Sequence, residues 1–177
     1  MFENYWSEQI LYKLLVFIED NKIPTLLDAG ALRLLTHQAF SKIKLHDQVV
    51  LTPHPGEAAE MLGVTTKEIQ KNRIESAKEL QKKYGCIIAL KGNGTIICNK
   101  KNTYLCSSGG PELAVAGSGD ILSGFIGSLI VQGLTPIDAT LTGVGIHAQA
   151  GENFASDVGR IGLAVCELIP YLRASLN

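Results

Sequence analysis

Four residues, Gly117-Ser118-Gly119-Asp120, combine types that could handle a phosphate and a hydroxyl at once. They stand where a Gly-rich loop gives way to an apolar pattern with helical spacing, Ile121 to Val131. The first amides of a helix lack intrahelical partners and sit at the positive end of its dipole. Gly117 and Gly119 let a ligand approach those amides closely, which suits a phosphate. Asp120 does not, because a carboxylate repels an anion. An acid there fits a general base, or a group acting on a hydroxyl beside the phosphate. The same residues also fit a plainer use, with Ser118 as a helix cap and Asp120 as a first-turn acid complementing the dipole. The four residues alone leave both open.

Elements must bring such a loop to other chemistry. Helical spacing runs from Glu8 to Asp20 and stops before Pro24, and Thr25 to Ala29 reads as a short buried strand. A helix over Ala31–Leu35, a strand over Gln48–Thr52 and a helix over Glu57–Leu62 follow. Thr66 is expected to cap a long helix from Lys67 to Tyr84, ended by Gly85. Cys86 to Leu90 is unbroken in its apolarity, the mark of a strand covered on both faces. Thr95–Cys98 and Thr103–Cys106 flank Lys100-Lys101-Asn102 as a hairpin, and helical patterns follow over 121–131, 137–154 (capped by Thr135) and 161–172. This order predicts an α/β domain spanning 1–177, with a largely parallel sheet between two helical layers.

In such sheets ligands bind beyond the carboxyl ends of the strands. Asp28, the Thr52-Pro53-His54-Pro55-Gly56-Glu57 run and Lys91-Gly92-Asn93-Gly94-Thr95 all fall there, beside the Asp120 loop. Lys91 could supply charge to a phosphate, while Gly92 and Gly94 admit a nucleotide to the backbone. The spacing is neither that of the standard phosphate loop nor that of a dinucleotide fingerprint.

Composition excludes other classes. Net charge is −1 with no dense Lys/Arg patch, so nothing points to nucleic acid or an acidic membrane surface. No apolar run reaches spanning length. Cys86, Cys98, Cys106 and Cys166 lack the paired spacing of structural zinc and are expected as reduced thiols. With no signal peptide in view, a cytoplasmic location is expected.

Taken together, the Pro53-His54-Pro55-Gly56-Glu57 run, the Leu90–Thr95 segment and the Gly109–Asp120 run resemble the ADP/ATP-dependent NAD(P)H-hydrate dehydratases of the ribokinase-like superfamily. Leu27–Leu32 is similar to that family's Asp-Ala-Asp-Ala-Leu segment, with Gly30 at the second Asp. Val115-Ala116 and Gly110 depart from the residues usual in the family. The resemblance implies repair of NADH or NADPH hydrated on the nicotinamide ring, by phosphorylation of the added hydroxyl and elimination. Under it, Asp120 acts on the hydroxyl, and Gly117, Ser118 and Gly119 form the anion hole. Lys91, Gly92, Asn93, Gly94 and Thr95 hold the adenine nucleotide, ADP or ATP. His54 contacts the hydrated cofactor, and Glu57 occupies the place of an Mg²⁺-linked acid. The family's domain extends further on the amino-terminal side, while this chain begins near its Trp-containing helix, here Trp6. An open sheet edge is therefore expected, covered by self-association or a partner. Two alternatives share these motifs: a nucleotide-binding module without catalysis, and a small-molecule kinase of the same superfamily.

Overall fold

The computed structural model describes residues 5–176. Helix α1 (Tyr5–Asn21) buries Leu11 and Leu15, with Ile18 packed behind them, a spacing that keeps one face on the core. Strand β1 (Thr25–Leu27) leads to α2 (Gly30–Leu34), β2 (Val49–Leu51) and α3 (Pro55–Leu62). Next come α4 (Thr66–Lys71), α5 (Arg73–Tyr84), β3 (Ile87–Leu90), β4 (Thr95–Cys98) and β5 (Thr103–Cys106). The chain closes with α6 (Ser118–Val131), α7 (Pro136–Asp157) and α8 (Leu168–Ala174).

The strands lie in chain order, β1-β2-β3-β4-β5. β1, β2 and β3 are parallel, whereas β3, β4 and β5 pair antiparallel. The layered α/β arrangement stands as expected, but the sheet is evenly mixed because β4 runs antiparallel to both β3 and β5, matching the two parallel pairings. Alternation along each strand divides the core. Leu27, Val49, Leu51, Ile88 and Leu90 face α1 to α5. Val50, Ile87, Ala89 and Ile97 face α6 and α7. Among the described residues β1 pairs only with β2, and β5 only with β4, so both outer strands have an open edge.

Two expected helices are corrected. The helix expected over Lys67–Tyr84 is two helices, broken at Asn72 (φ −134°, ψ 52°). Its cap is Thr65, not Thr66: the Thr65 hydroxyl accepts from Glu68 N–H, and the Glu68 carboxylate accepts from Thr65 N–H at 2.8 Å. Gly85 ends α5 in a left-handed conformation, as expected. The helix expected over 161–172 forms only from Leu168, after a short 3-10 turn at Val165–Glu167. Gly162 at φ +90° interrupts the earlier part.

Candidate functional site

The parallel strands deliver their carboxyl ends to one place. Lys91, directly after β3, donates from Nζ to Asp28, directly after β1, at 2.9 and 3.2 Å. Ser123 Oγ donates to Asp28 Oδ2 at 2.6 Å, and lies 3.4 Å from the Thr52 hydroxyl beyond β2. Both partners of the ion pair are mostly shielded from water. Three of the four expected features thus meet through hydrogen bonds. The fourth abuts them, since a Cβ placed on Gly119 would lie 3.1 Å from Lys91 Nζ.

Backbone conformation holds this junction. Ala29 adopts φ 50° and ψ −121°, a region that costs a residue with a Cβ. Its amide donates to Asp28 Oδ1 at 2.8 Å. On the other side, the Arg73 guanidinium donates to the carbonyls of Leu90 (3.3 Å), Lys91 (3.4 Å) and Gly94 (2.9 Å), clamping the Lys91–Thr95 loop from beneath. Gly92 at φ +142° leaves room for it, because a Cβ there would sit 2.4 Å from Arg73 Nη1.

The start of α6 is open in the way the sequence suggests, with different bookkeeping. Gly117, at φ 86°, is the N-cap, and Ser118 does not act as one. Ser118 N–H donates to Val115 O at 3.2 Å, and Ile121 N–H to Gly117 O at 3.0 Å. No intramolecular acceptor is found for the amides of Gly119 and Asp120 among the described residues. Those two amides are the free donors. The Ser118 hydroxyl turns instead to His147 Nε2, at 3.4 Å. His147 is buried, and burial pulls its pKa down to about 4, with a hydrogen bond to the Ser118 backbone opposing the shift.

A cavity of about 700 Å³ opens over this region. Its polar wall includes His54, the Lys91–Thr95 loop, Ser118, Gly119 and His147; its apolar wall includes Leu113, Leu122 and Val144. The size and the mixed lining suit a flat base joined to a polar chain. Asp120 does not line this cavity; its side chain is exposed next to Gly119. His54 caps α3, its Nδ1 accepting from Gly56 and Glu57 N–H at 3.0 and 3.2 Å. The Glu57 carboxylate, buried, accepts from His54 N–H at 2.8 Å in return. Glu57 is therefore committed to a capping box. Among the described residues no group of three or more His, Cys, Asp or Glu is placed to hold a metal ion. The described side chains therefore do not build a cage of three or more protein ligands for a divalent cation.

Sequence reasoning missed His147, Ser123 and Arg73. Each had only a weak signal: a polar residue inside an apolar helix for the first two, and a basic residue opening a helix for the third.

A family model for NAD(P)H-hydrate dehydratase matches residues 6–173. The chain belongs to this family. The bifunctional NAD(P)H-hydrate repair enzyme Nnr of Coxiella burnetii is 38% identical over 173 residues, covering 97% of this chain and 34% of that protein. The crystal structure of ADP/ATP-dependent NAD(P)H-hydrate dehydratase from Bacillus subtilis, co-crystallized with ATP/Mg²⁺, superposes with a TM-score of 0.82 at 31% identity. That match covers 95% of this chain and 59% of the other. A ribokinase-like superfamily protein from Enterococcus faecalis, 23% identical, shares the fold with a TM-score of 0.79, over 97% of this chain and 59% of its own. The chain thus spans 34% of the Coxiella relative and 59% of the Bacillus structure.

Proposed function

We propose that the protein is a nucleotide-dependent dehydratase that repairs hydrated NAD(P)H. The observation that carries this reading is the convergence of two unpaired amides, those of Gly119 and Asp120, with the Lys91 strand end at the rim of a nucleotide-sized cavity. The adenine nucleotide, ADP or ATP by analogy with the Bacillus protein, occupies the cavity along Lys91, Gly92, Asn93, Gly94 and Thr95. Its terminal phosphate meets the start of α6, where Gly117 sets the turn, Ser118 is braced by His147, and Gly119 and Asp120 supply free amides. Asp120 takes the proton from the hydroxyl on the hydrated nicotinamide ring, and that oxygen attacks the terminal phosphorus, releasing the shortened nucleotide. The ring C–O bond then breaks, phosphate departs, and loss of a neighbouring ring proton restores the dihydronicotinamide. In this reading the protein contributes positioning and amide dipoles to the transferred phosphoryl group. His54, half exposed at the cavity wall, contacts the hydrated cofactor. Mg²⁺ arrives with the nucleotide, and no step is assigned to it. The whole of 1–177 is taken as one domain, in the cytoplasm, associating with a second copy.

Exposure of Asp120 favours a second reading, in which the chain binds nucleotide without turning over. One experiment separates them. Hydrated NADH is mixed with the protein and ADP or ATP, and return of the dihydronicotinamide absorbance is followed. Turnover that falls about 10³-fold in Asp120→Asn, the size expected for a lost general base, with nucleotide affinity little changed, supports the dehydratase. Nucleotide binding without recovery of absorbance favours the second reading, and no nucleotide binding rejects both.

A further inference from the structure

Charge around the cavity is unevenly covered. Its Lys and Arg side chains are Lys91 and Arg160. The Lys91 ammonium is largely neutralised by Asp28. A second, smaller cavity of about 290 Å³ shares Gly109, Gly110 and Arg160 with the first, and adds Glu112 and Glu152. Both carboxylates are structurally committed. Glu152 Oε1 accepts from Gly109 N–H at 2.8 Å, and Glu112 Oε1 from Gly110 N–H at 2.8 Å. Glu112 is only 2% exposed, and its carboxylate fills the space where a side chain at 110 would project: a Cβ on Gly110 would come within 2.5 Å of Oε2. Two acids therefore fix the corner between the cavities and leave it negative, which is unfavourable for a polyanion.

Arg160 sits on the shared wall, in the bend after α7 that Gly159 (φ +124°) and Gly162 (φ +90°) form. It forms no hydrogen bond or ion pair with any described residue, even though both acids line the same small cavity. An exposed guanidinium keeps its charge and presents five donors in a planar fork that matches phosphate oxygens.

We propose that Arg160 binds the phosphates of the adenine nucleotide as the second cation of the main cavity, offsetting Glu112 and Glu152 of the adjoining smaller cavity. The inference rests on the nucleotide reading above and adds a residue to it. Lys91 fixes the strand-end side of the cavity, and Arg160 supplies the charge that no strand end provides.

Titration calorimetry of the whole chain with ADP and with adenosine tests this. Arg160→Gln is expected to weaken ADP roughly 10- to 100-fold, the loss of a charge-assisted hydrogen-bonding group, and to leave adenosine within about twofold, since adenosine has no phosphate for the group to hold. Arg160→Lys is expected to recover only part of the ADP affinity, because an ammonium lacks the fork. The salt dependence of ADP binding should also flatten in Arg160→Gln. Thermal melts of the free variants check that the fold is intact. Unchanged ADP affinity overturns the inference while leaving the nucleotide reading in place, as does an equal loss for ADP and adenosine. If the unaltered chain binds no ADP, the nucleotide reading fails and takes this inference with it.

Discussion

His147 both lines the cavity and braces the turn that opens α6. Burial holds its imidazole neutral, and its Nε2 meets the Ser118 hydroxyl at the opening turn of α6. The ordinary imidazole value is 6.5, whereas the folded one is about 4. Between those values the unfolded chain takes up a proton that the folded chain refuses. The contribution of His147 to stability must therefore fall as pH drops from about 6.5 towards 4, by up to about 3 kcal/mol, and that contribution levels off below. Urea unfolding of the parent and of His147→Gln at about pH 7.5 and pH 5 should show a smaller acid loss in the variant; equal losses would contradict this. At this scale the sequence exposed the site's ends better than its supports. Asp28 and Lys91 at strand ends, and the Asp120 loop at a helix start, carried recognisable types, and the first two pair directly. His147 and Ser123 lie inside helices whose pattern reads as packing, and only the crossing of α6 over β1 and α7 reveals what they touch.

At the scale of elements, the Lys91–Thr95 loop depends on the start of α5. The chain breaks at Asn72, and this break lets Arg73 turn its fork beneath three carbonyls of the loop. Arg73→Met keeps the length of the side chain and removes the donors, leaving partly buried carbonyls unpaired. A stability loss of about 1–3 kcal/mol is expected in denaturant unfolding, together with weaker nucleotide binding as the loop loosens. Arg73→Lys should restore little of either, because one ammonium cannot span three acceptors. A parent-like Arg73→Met would show that the loop holds its own shape. The Asn72 break was not legible, because the hydrophobic spacing runs through it without a Gly or Pro. The strands and the hairpin were legible to within a residue or two, since short apolar runs bounded by Pro, Gly, Asp or Asn have few other readings. The helix expected at 161–172 failed for the converse reason: its apolar spacing was sound, but Gly162 takes a left-handed φ that no helix accommodates.

Across the whole molecule the outer surface of α1 stands apart. Trp6, Ile10, Leu14 and Phe17 recur at helical spacing and are all exposed, while Leu11 and Leu15 fill the core on the other side. A contiguous apolar stripe of this kind fits the association with a second copy proposed above, and β1 has an open edge among the described residues. Concentration-dependent sedimentation is expected for the chain, and Leu14→Glu should shift it to the monomer without altering the thermal midpoint by more than a degree or two. A monomer at every concentration would reject the idea. The fold class was legible from the alternation of strands and helices, whereas the even split between parallel and antiparallel pairing was not, because β4 pairs antiparallel with β3 as well as with β5. Strand order has a consequence during synthesis. From β2 to β5 each described strand lies beside the one made just before it, so during translation a partner for it is already present. The face carrying Val50, Ile87, Ala89 and Ile97 stays bare until α6 and α7 emerge from the ribosome. That interval is when a nascent chain of this design most needs a chaperone.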